Sequence, residues 1–259
     1  MVSVSSVADT SLIRVDDRDG IRILRLAHGK VSALDIELGE ALIKELKAAG
    51  GVRAFVITGT GSTFSAGVDL FRVVRDGPEY VRRFLPVLDA MLRETLSCPL
   101  PVVAAVNGHA IAGGCILASC CDRRIMAAGD ARIGVPELAV GVPFPALPLQ
   151  IMAARLPDRA LRDLVFTGRT VRADEALALG LIDEVCPAES LLDRAVESAR
   201  SLAEIPAAAF ALTKQALHAE ILDRANRLGD LDARTVEAWT QPKTYETIRA
   251  YLERTVGRK

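Results

Sequence analysis

The stretch "PVVAAVNGHAIAGGCILASCCDRRIMAA" (101–128) carries the chain from one apolar run to another through a glycine-rich corner. "PVVAAV" (101–106) reads as a buried strand, and Asn107-Gly108, a turn dipeptide, ends it. A short loop then reaches Gly113-Gly114, and an apolar run starts at once at Cys115, as a helix does. Such a junction aims the unpaired N–H groups of a helix start at whatever lies before it. The first turn beyond it holds Ile116, with no acid or base beside it. "RRIMAA" (123–128) is the next strand. Apolar strands spaced by helices predict an α/β fold.

The same alternation extends upstream. "IRILRL" (21–26) reads as a strand, and "ALDIELGEALIKELKAAGG" (33–51) as a helix. Asp35 is placed as its N-cap, Leu38, Leu42 and Leu46 share a face, and Gly50-Gly51 ends it. "VRAFVIT" (52–58) is a strand, followed by a loop, "GTGSTFSAG" (59–67). "PEYVRRFLPVLDAMLRETLS" (78–97) has an apolar stripe through Val81, Phe84, Leu85, Leu88, Met91 and Leu92, and Pro86 predicts a kink or break within it.

Downstream the pattern turns purely helical. The segments 188–205, 206–222 and 242–256 all have helical period, with Pro206 suited to a first helical position. The expected organisation is a core over 1–195 and a helical region over 196–259. That region is too small for a core of its own and packs on the body or on a second subunit.

The 259 residues are 50% hydrophobic and 25% charged with a formal net charge of -1, ordinary composition for a soluble globular chain. A near-neutral balance and 4% aromatics leave no footprint for nucleic acid. Cys98, Cys115, Cys120, Cys121 and Cys186 are odd in number and form no C-x-x-C, so buried, reduced thiols are expected. His28, His109 and His218 are scattered, without metal-ligand spacing. The N-terminus lacks a basic region followed by an apolar one, and no apolar run approaches ~18 residues, so neither export nor a membrane span is expected. The expected compartment is the cytoplasm.

Three features concentrate the chemistry. "FSAGVDL" (64–70) and "NGHAIAGGC" (107–115) both follow strands and carry small residues that let a ligand approach the backbone. Neither matches a dinucleotide or P-loop pattern. The third is Glu137 in "IGVPELAVGVPFP" (133–145), an acid among apolar residues and prolines. If buried, it would have a raised pKa and could work as a general base or acid. Asp69 reads as a helix cap, His109 as a satisfied loop residue, and Cys115, Cys120 and Cys121 as small buried residues.

The series "FSAGVDL", "NGHAIAGGCILASCCDRRIMA", "IGVPELAVGV" and "ALALGLIDEV" resembles the crotonase family of enoyl-CoA hydratases and isomerases, in order and spacing, over about residues 12–256. The tail "AYLERTVGRK" is similar to the C-terminal helix of the family's isomerases. The resemblance implies an α/β spiral of ββα units with a helical C-terminal trimerisation region, and hence a homotrimer or a dimer of trimers. It implies an acyl-CoA thioester as substrate, with no metal or redox cofactor and coenzyme A entering only as part of that substrate. By motif position, Ala66 and Gly113 would be the backbone donors of an oxyanion hole. Ser65, Ala66, Gly67, Val68, Asp69, Leu70, Gly114, Ile116 and Phe144 would lie along CoA or the acyl chain, with Pro143 and Pro145 beside Phe144.

Hydratases of the family carry two glutamates, one just after the glycines and one in the next loop. Here Ile116 stands at the first place, and only Glu137 matches the second. Orienting a water and moving its proton suits two carboxylates, whereas shifting a double bond from C3=C4 to C2=C3 needs one. The expectation is therefore an enoyl-CoA isomerase with Glu137 as the catalytic residue. A hydratase, another crotonase reaction and a catalytically silent acyl-CoA-binding protein stand as alternatives.

Overall fold

The computed structural model describes residues 11–48 and 50–256; the segment 1–10, read as free of a leader, and the tail end 257–259 lie outside the described residues. Two antiparallel strands, β1 (Ile13–Arg18) and β2 (Ile21–Leu26), precede α1 (Ile36–Lys47). A unit of long strand, short strand and helix then recurs. It runs β3 (Ala54–Thr58), β4 (Thr63–Ser65), α2 (Leu70–Ser97); then β5 (Val102–Val106), β6 (His109–Ile111), α3 (Gly113–Cys120); then β7 (Arg123–Ala127), β8 (Ile133–Gly134), α4 (Glu137–Val140). There follow α5 (Ala146–Arg155), α6 (Asp158–Thr167), β9 (Thr170–Val171), α7 (Ala173–Leu179) and β10 (Glu184–Cys186). The chain closes with α8 (Leu191–Ala203), α9 (Ala207–Arg227), α10 (Gly229–Trp239) and α11 (Pro242–Val256).

The long strands form one sheet in the order β1-β2-β3-β5-β7-β10, and the short ones a second in the order β4-β6-β8-β9. Successive units add parallel strands to both sheets in the same order, so the chain winds as the expected spiral of ββα turns. Asn107 ties adjacent turns: its Oδ1 accepts from Gly59 N at 2.7 Å and its Nδ2 donates to Gly61 O at 3.0 Å.

Alternation within the long strands fills two cores. Phe55 and Ile57 face the main core with α1, α2 and α3, while Ala54 and Val56 face the layer that holds Leu191, Ala195 and Ala199 of α8. Burial on both faces is why β3 and β5 are near-continuous apolar runs in the sequence. Asp35 caps α1 as expected, accepting from Leu38 N at 2.8 Å.

Several elements differ from the sequence reading. The segments 59–67 and 107–112 contain β4 and β6, strands of three residues each and too short to show a period. The expected helix 78–97 begins earlier, at Leu70, and its helical geometry breaks at Gly77 (φ 75, ψ -162), not at Pro86. Glycine takes that positive φ without a Cβ clash, and Pro78 then restarts the helix at a position where no N–H is needed. Pro206 has an extended ψ of 123 and immediately precedes α9 instead of opening it.

The boundary expected at 195/196 falls inside α8, which packs on the large sheet. Beyond it, α9 is fixed by Lys214, whose buried ammonium donates to Asp122 Oδ2 at 2.7 Å and to Leu100 O at 3.2 Å. Helices α10 and α11 fold back over α2, α4 and α5 of the same chain. The five cysteines are free and buried. Among the described residues, no helix is long and apolar enough to cross a membrane.

Candidate active site

Each spiral turn passes from a short strand into a helix through a tight connection, and the three connections meet at one cavity. The first runs from β4 to α2. Gly67 has φ 79, and a Cβ on it would stand 2.5 Å from Ile111 O, so only glycine fits between the two loops. Leu34 N donates to Gly67 O at 2.7 Å and Asp69 N to Leu34 O at 3.0 Å. This parallel bridge of Leu34 with Val68 leaves the Val68 N–H between two used groups, with no acceptor among the described residues. Asp69 caps α2 by accepting from Arg72 N at 3.0 Å, the role read from sequence. Ser65 Oγ donates to Ser32 O at 2.8 Å and accepts from Gly67 N at 3.2 Å, which holds the loop from behind.

The second connection joins β6 to α3. Ala112 takes φ 51 and ψ -125, a conformation rare for a residue with a Cβ, and its N–H still donates to Gly134 O at 2.8 Å. Helix α3 therefore starts abruptly at Gly113, with no side-chain cap. A Cβ on Gly114 would stand 2.3 Å from Ser65 O, so the two connections touch through backbone alone. A Cβ on Gly113 would lie 3.8 Å from Val68 N, so the Val68 amide and the start of α3 sit side by side.

The third connection is Val135-Pro136, and Glu137 opens the single turn of α4. Its side chain is buried, and Oε2 has no hydrogen-bond partner. Burial in this apolar setting pushes the carboxyl from 4.5 up to about 8, partly offset by its own backbone N–H. Burial, reinforced by the Glu137 charge, also pushes the neighbouring Cys115 thiol up, so Cys115 stays un-ionised in the core behind the site.

The cavity holds about 620 Å³ of empty space, its open mouth included. Ala66, Val68, Leu70, Gly113, Ile116 and Glu137 line it, as the sequence reading expected of the site. Ser65, Gly67, Asp69 and Gly114 do not; they shape the loops behind it. One assignment needs correction. The Ala66 N–H donates to Val31 O at 3.0 Å, so it is not a spare oxyanion donor, and the open amide facing Gly113 is that of Val68. Phe144 is also absent from the lining: Pro145 takes that place, and Pro143 O accepts from Trp239 Nε1 at 2.9 Å. His109, read from sequence as a loop residue, instead opens the short strand β6, with Nδ1 accepting from Arg132 N at 3.1 Å.

Sequence reasoning missed Leu88 of α2, Trp239 of α10 and Tyr251 of α11, all in the cavity wall. The one available signal was Trp239 itself, the single tryptophan of the chain, in a mostly polar helical segment.

The family model described as enoyl-CoA hydratase/isomerase matches residues 18–257. The chain belongs to that family. Family membership makes it an enzyme of the enoyl-CoA hydratase/isomerase group and implies an acyl-CoA thioester substrate. It is 37% identical to a putative enoyl-CoA hydratase of Thermus thermophilus over 82% of this chain and 85% of that one. Its structure is similar to that of a Mycobacterium tuberculosis enoyl-CoA isomerase, with TM-score 0.78, 33% identity and coverage of 88% and 97%. Human mitochondrial delta3-delta2-enoyl-CoA isomerase superposes with TM-score 0.91 over 96% of this chain and all of the other; at 24% identity this is a likeness of fold. The names therefore divide between two reactions, and the site's own chemistry has to choose between them.

Proposed function

We propose that this family member is an enoyl-CoA isomerase that converts a 3-enoyl-CoA into the 2-enoyl-CoA. The observation that carries the reading is the pairing of Glu137 with Ile116: one carboxyl faces the cavity, and an aliphatic side chain occupies the place where a second would stand. The thioester oxygen accepts from the N–H groups of Val68 and Gly113. These dipoles are fixed by the backbone before substrate arrives, so they stabilise the enolate oxygen without reorganising, an effect worth ~10²–10³ in rate per donor.

Glu137 as carboxylate removes a C2 proton, and the electron pair delocalises through C1 onto the thioester oxygen and through C3=C4. The neutral acid then returns the proton at C4 as C2=C3 forms. No net proton, electron or water is exchanged, so the reaction needs no co-reactant. A raised carboxyl pKa suits both halves, because the group must accept and donate with similar ease near neutral pH.

Hydration makes a demand that Ile116 and its aliphatic neighbours do not meet. A water must be held at C3 by groups other than the single base, and Ile116, Val140, Val142 and Pro145 offer no such hydrogen bonds. The test is a side-by-side assay of the purified protein on 3-enoyl-CoA and 2-enoyl-CoA. Faster turnover of the 3-enoyl ester supports the proposal; faster hydration of the 2-enoyl ester assigns the chain to the hydratases instead.

A further inference from the structure

The C-terminal helices are part of the cavity wall. Trp239, the last residue of α10, is 3% exposed, and its indole borders the same cavity as Glu137 and Gly113. Two hydrogen bonds clamp α10 to the segment leading into α5. Trp239 Nε1 donates to Pro143 O at 2.9 Å, and Asp232 Oδ1 accepts from Ala146 N at 2.6 Å. The clamped segment is itself lining, through Val142 and Pro145. An aromatic ring fixed at its polar edge and buried on its apolar faces has little freedom to move aside. The wall around it is mostly apolar: among the cavity-lining residues, Glu137 is the single acid, there is no basic side chain, and Tyr251 carries a hydroxyl.

We infer that Trp239 sets the depth of the acyl pocket, so that the enzyme prefers unsubstituted hydrocarbon chains that end against the indole and discriminates against longer ones. The inference rests on the proposed acyl-CoA site but not on which reaction takes place there. In a close-packed interior an extra methylene pressed against a fixed wall has nowhere to go. One methylene more or less in such a pocket changes selectivity by about 10- to 200-fold.

The experiment reads pocket depth by binding and by turnover. Saturated straight-chain acyl-CoA esters of increasing length are titrated into the intact protein by calorimetry, and kcat/KM is measured on the matching 3-enoyl esters. For the wild type, affinity is expected to rise with each methylene and then fall about 10-fold or more at one length. Trp239→Ala is expected to move that cut-off to longer chains and to weaken the short ones. Trp239→Phe, which loses the bond to Pro143 O but keeps a ring, is expected to leave the cut-off near its wild-type length. Trp239→Leu, closer in volume, serves if the alanine variant does not fold, and is expected to shift the cut-off in the same direction by less. A folded alanine or leucine variant with the wild-type cut-off overturns the inference and leaves the proposed function standing. Failure of every acyl-CoA to bind the wild type overturns both. Binding with no isomerisation removes the isomerase reading alone, and the cut-off in the binding series still decides the role of Trp239.

Discussion

The Val68 amide and Gly113 come from successive turns of the spiral and meet so closely that a Cβ on Gly113 would lie 3.8 Å from Val68 N. Glu137 arrives from the third turn at the same cavity. Each turn supplies one functional group at the same point of its path, where a short strand gives way to a helix. Geometry that would be hard to hold with mobile side chains is thereby built from backbone, and only the proton carrier is a side chain. The cost is carried by neighbours without Cβ atoms, which is why Gly67 and Gly114 are as necessary as the donors.

Glu137→Gln keeps the size of the side chain and much of its hydrogen-bonding capacity, but cannot cycle a proton. General acid–base catalysis contributes about 10²–10⁴ in rate. The variant is therefore expected to lose at least that factor in kcat on 3-enoyl-CoA while its acyl-CoA affinity stays within a few-fold. In the wild type, kcat/KM is expected to rise with pH through about 8, because the base form of the free enzyme is produced in that range. A flat pH profile, or an active glutamine variant, removes Glu137 from the chemistry.

The same raised pKa links stability to pH. Between 4.5 and about 8 the folded protein keeps a proton on Glu137 that the unfolded chain has released. The folded state thus binds more protons, and stability falls as pH rises through this window, by up to about 1.4 kcal/mol per pH unit. Above the window the loss is complete, and below 4.5 it is absent. Denaturant melts of the wild type and Glu137→Gln at several pH values should diverge across this range, with the glutamine variant gaining relative stability at the alkaline end. Parallel curves contradict a buried, unpaired carboxyl.

Gly114→Ala tests the contact between the first two connections. The new methyl would meet Ser65 O at 2.3 Å, and that oxygen belongs to backbone that cannot swing away. Overpacking of this kind costs about 1–3 kcal/mol. The expected result is a lower denaturation midpoint together with reduced kcat, since relief of the clash displaces the Val68 and Gly113 amides. Wild-type stability and rate would show that the connections are looser than this contact implies.

Assembly gives a further expectation. The resemblance points to a homotrimer or a dimer of trimers, and Phe166 on α6 and Leu138 on α4 are 67% and 42% exposed on two helices that pack together. Large exposed apolar side chains in one neighbourhood mark surfaces that associate. Light scattering on the intact chain should give a multiple of three; a stable monomer contradicts the expectation.

Legibility in the sequence followed the range of the interactions involved. The strands β3 and β5 are readable because each is buried on both faces and so is almost wholly apolar, β7 through its apolar end, 125–127, and the caps Asp35 and Asp69 because a cap bonds within its own turn. The short strands β4, β6 and β8 are not, because two or three residues carry no period and their pairing depends on neighbours from other turns. Glu137 stood out as an acid in apolar surroundings. The donor opposite Gly113 was misplaced by two residues, because nothing local to "FSAGVDL" reveals that Val31 O takes the Ala66 N–H. Trp239 reaches the cavity through the docking of α10 on a distant segment, which no local pattern encodes.

Ile116→Glu asks whether the missing carboxyl is all that separates this site from a hydratase. Ile116 is buried in the first turns of α3, with its N–H bonded to Ala112 O at 3.1 Å. A glutamate there gains something from the helix N-terminus, whose dipole favours negative charge. It loses more by entering an apolar wall that also holds Glu137, because two carboxylates in one desolvated site oppose each other's ionisation. At neutral pH both are then expected to be largely protonated, and neither is free to activate a water. The side chains flanking Ile116 and Glu137, Val140, Val142 and Pro145, are aliphatic and offer nothing to hold that water at C3. The expected outcome is a lower denaturation midpoint, isomerisation reduced by about tenfold or more, and at most a trace of 2-enoyl-CoA hydration. If the variant instead hydrates 2-enoyl-CoA as fast as the wild type isomerises 3-enoyl-CoA, the cavity already positions a water, and the apolar character of its wall does not explain the choice of reaction.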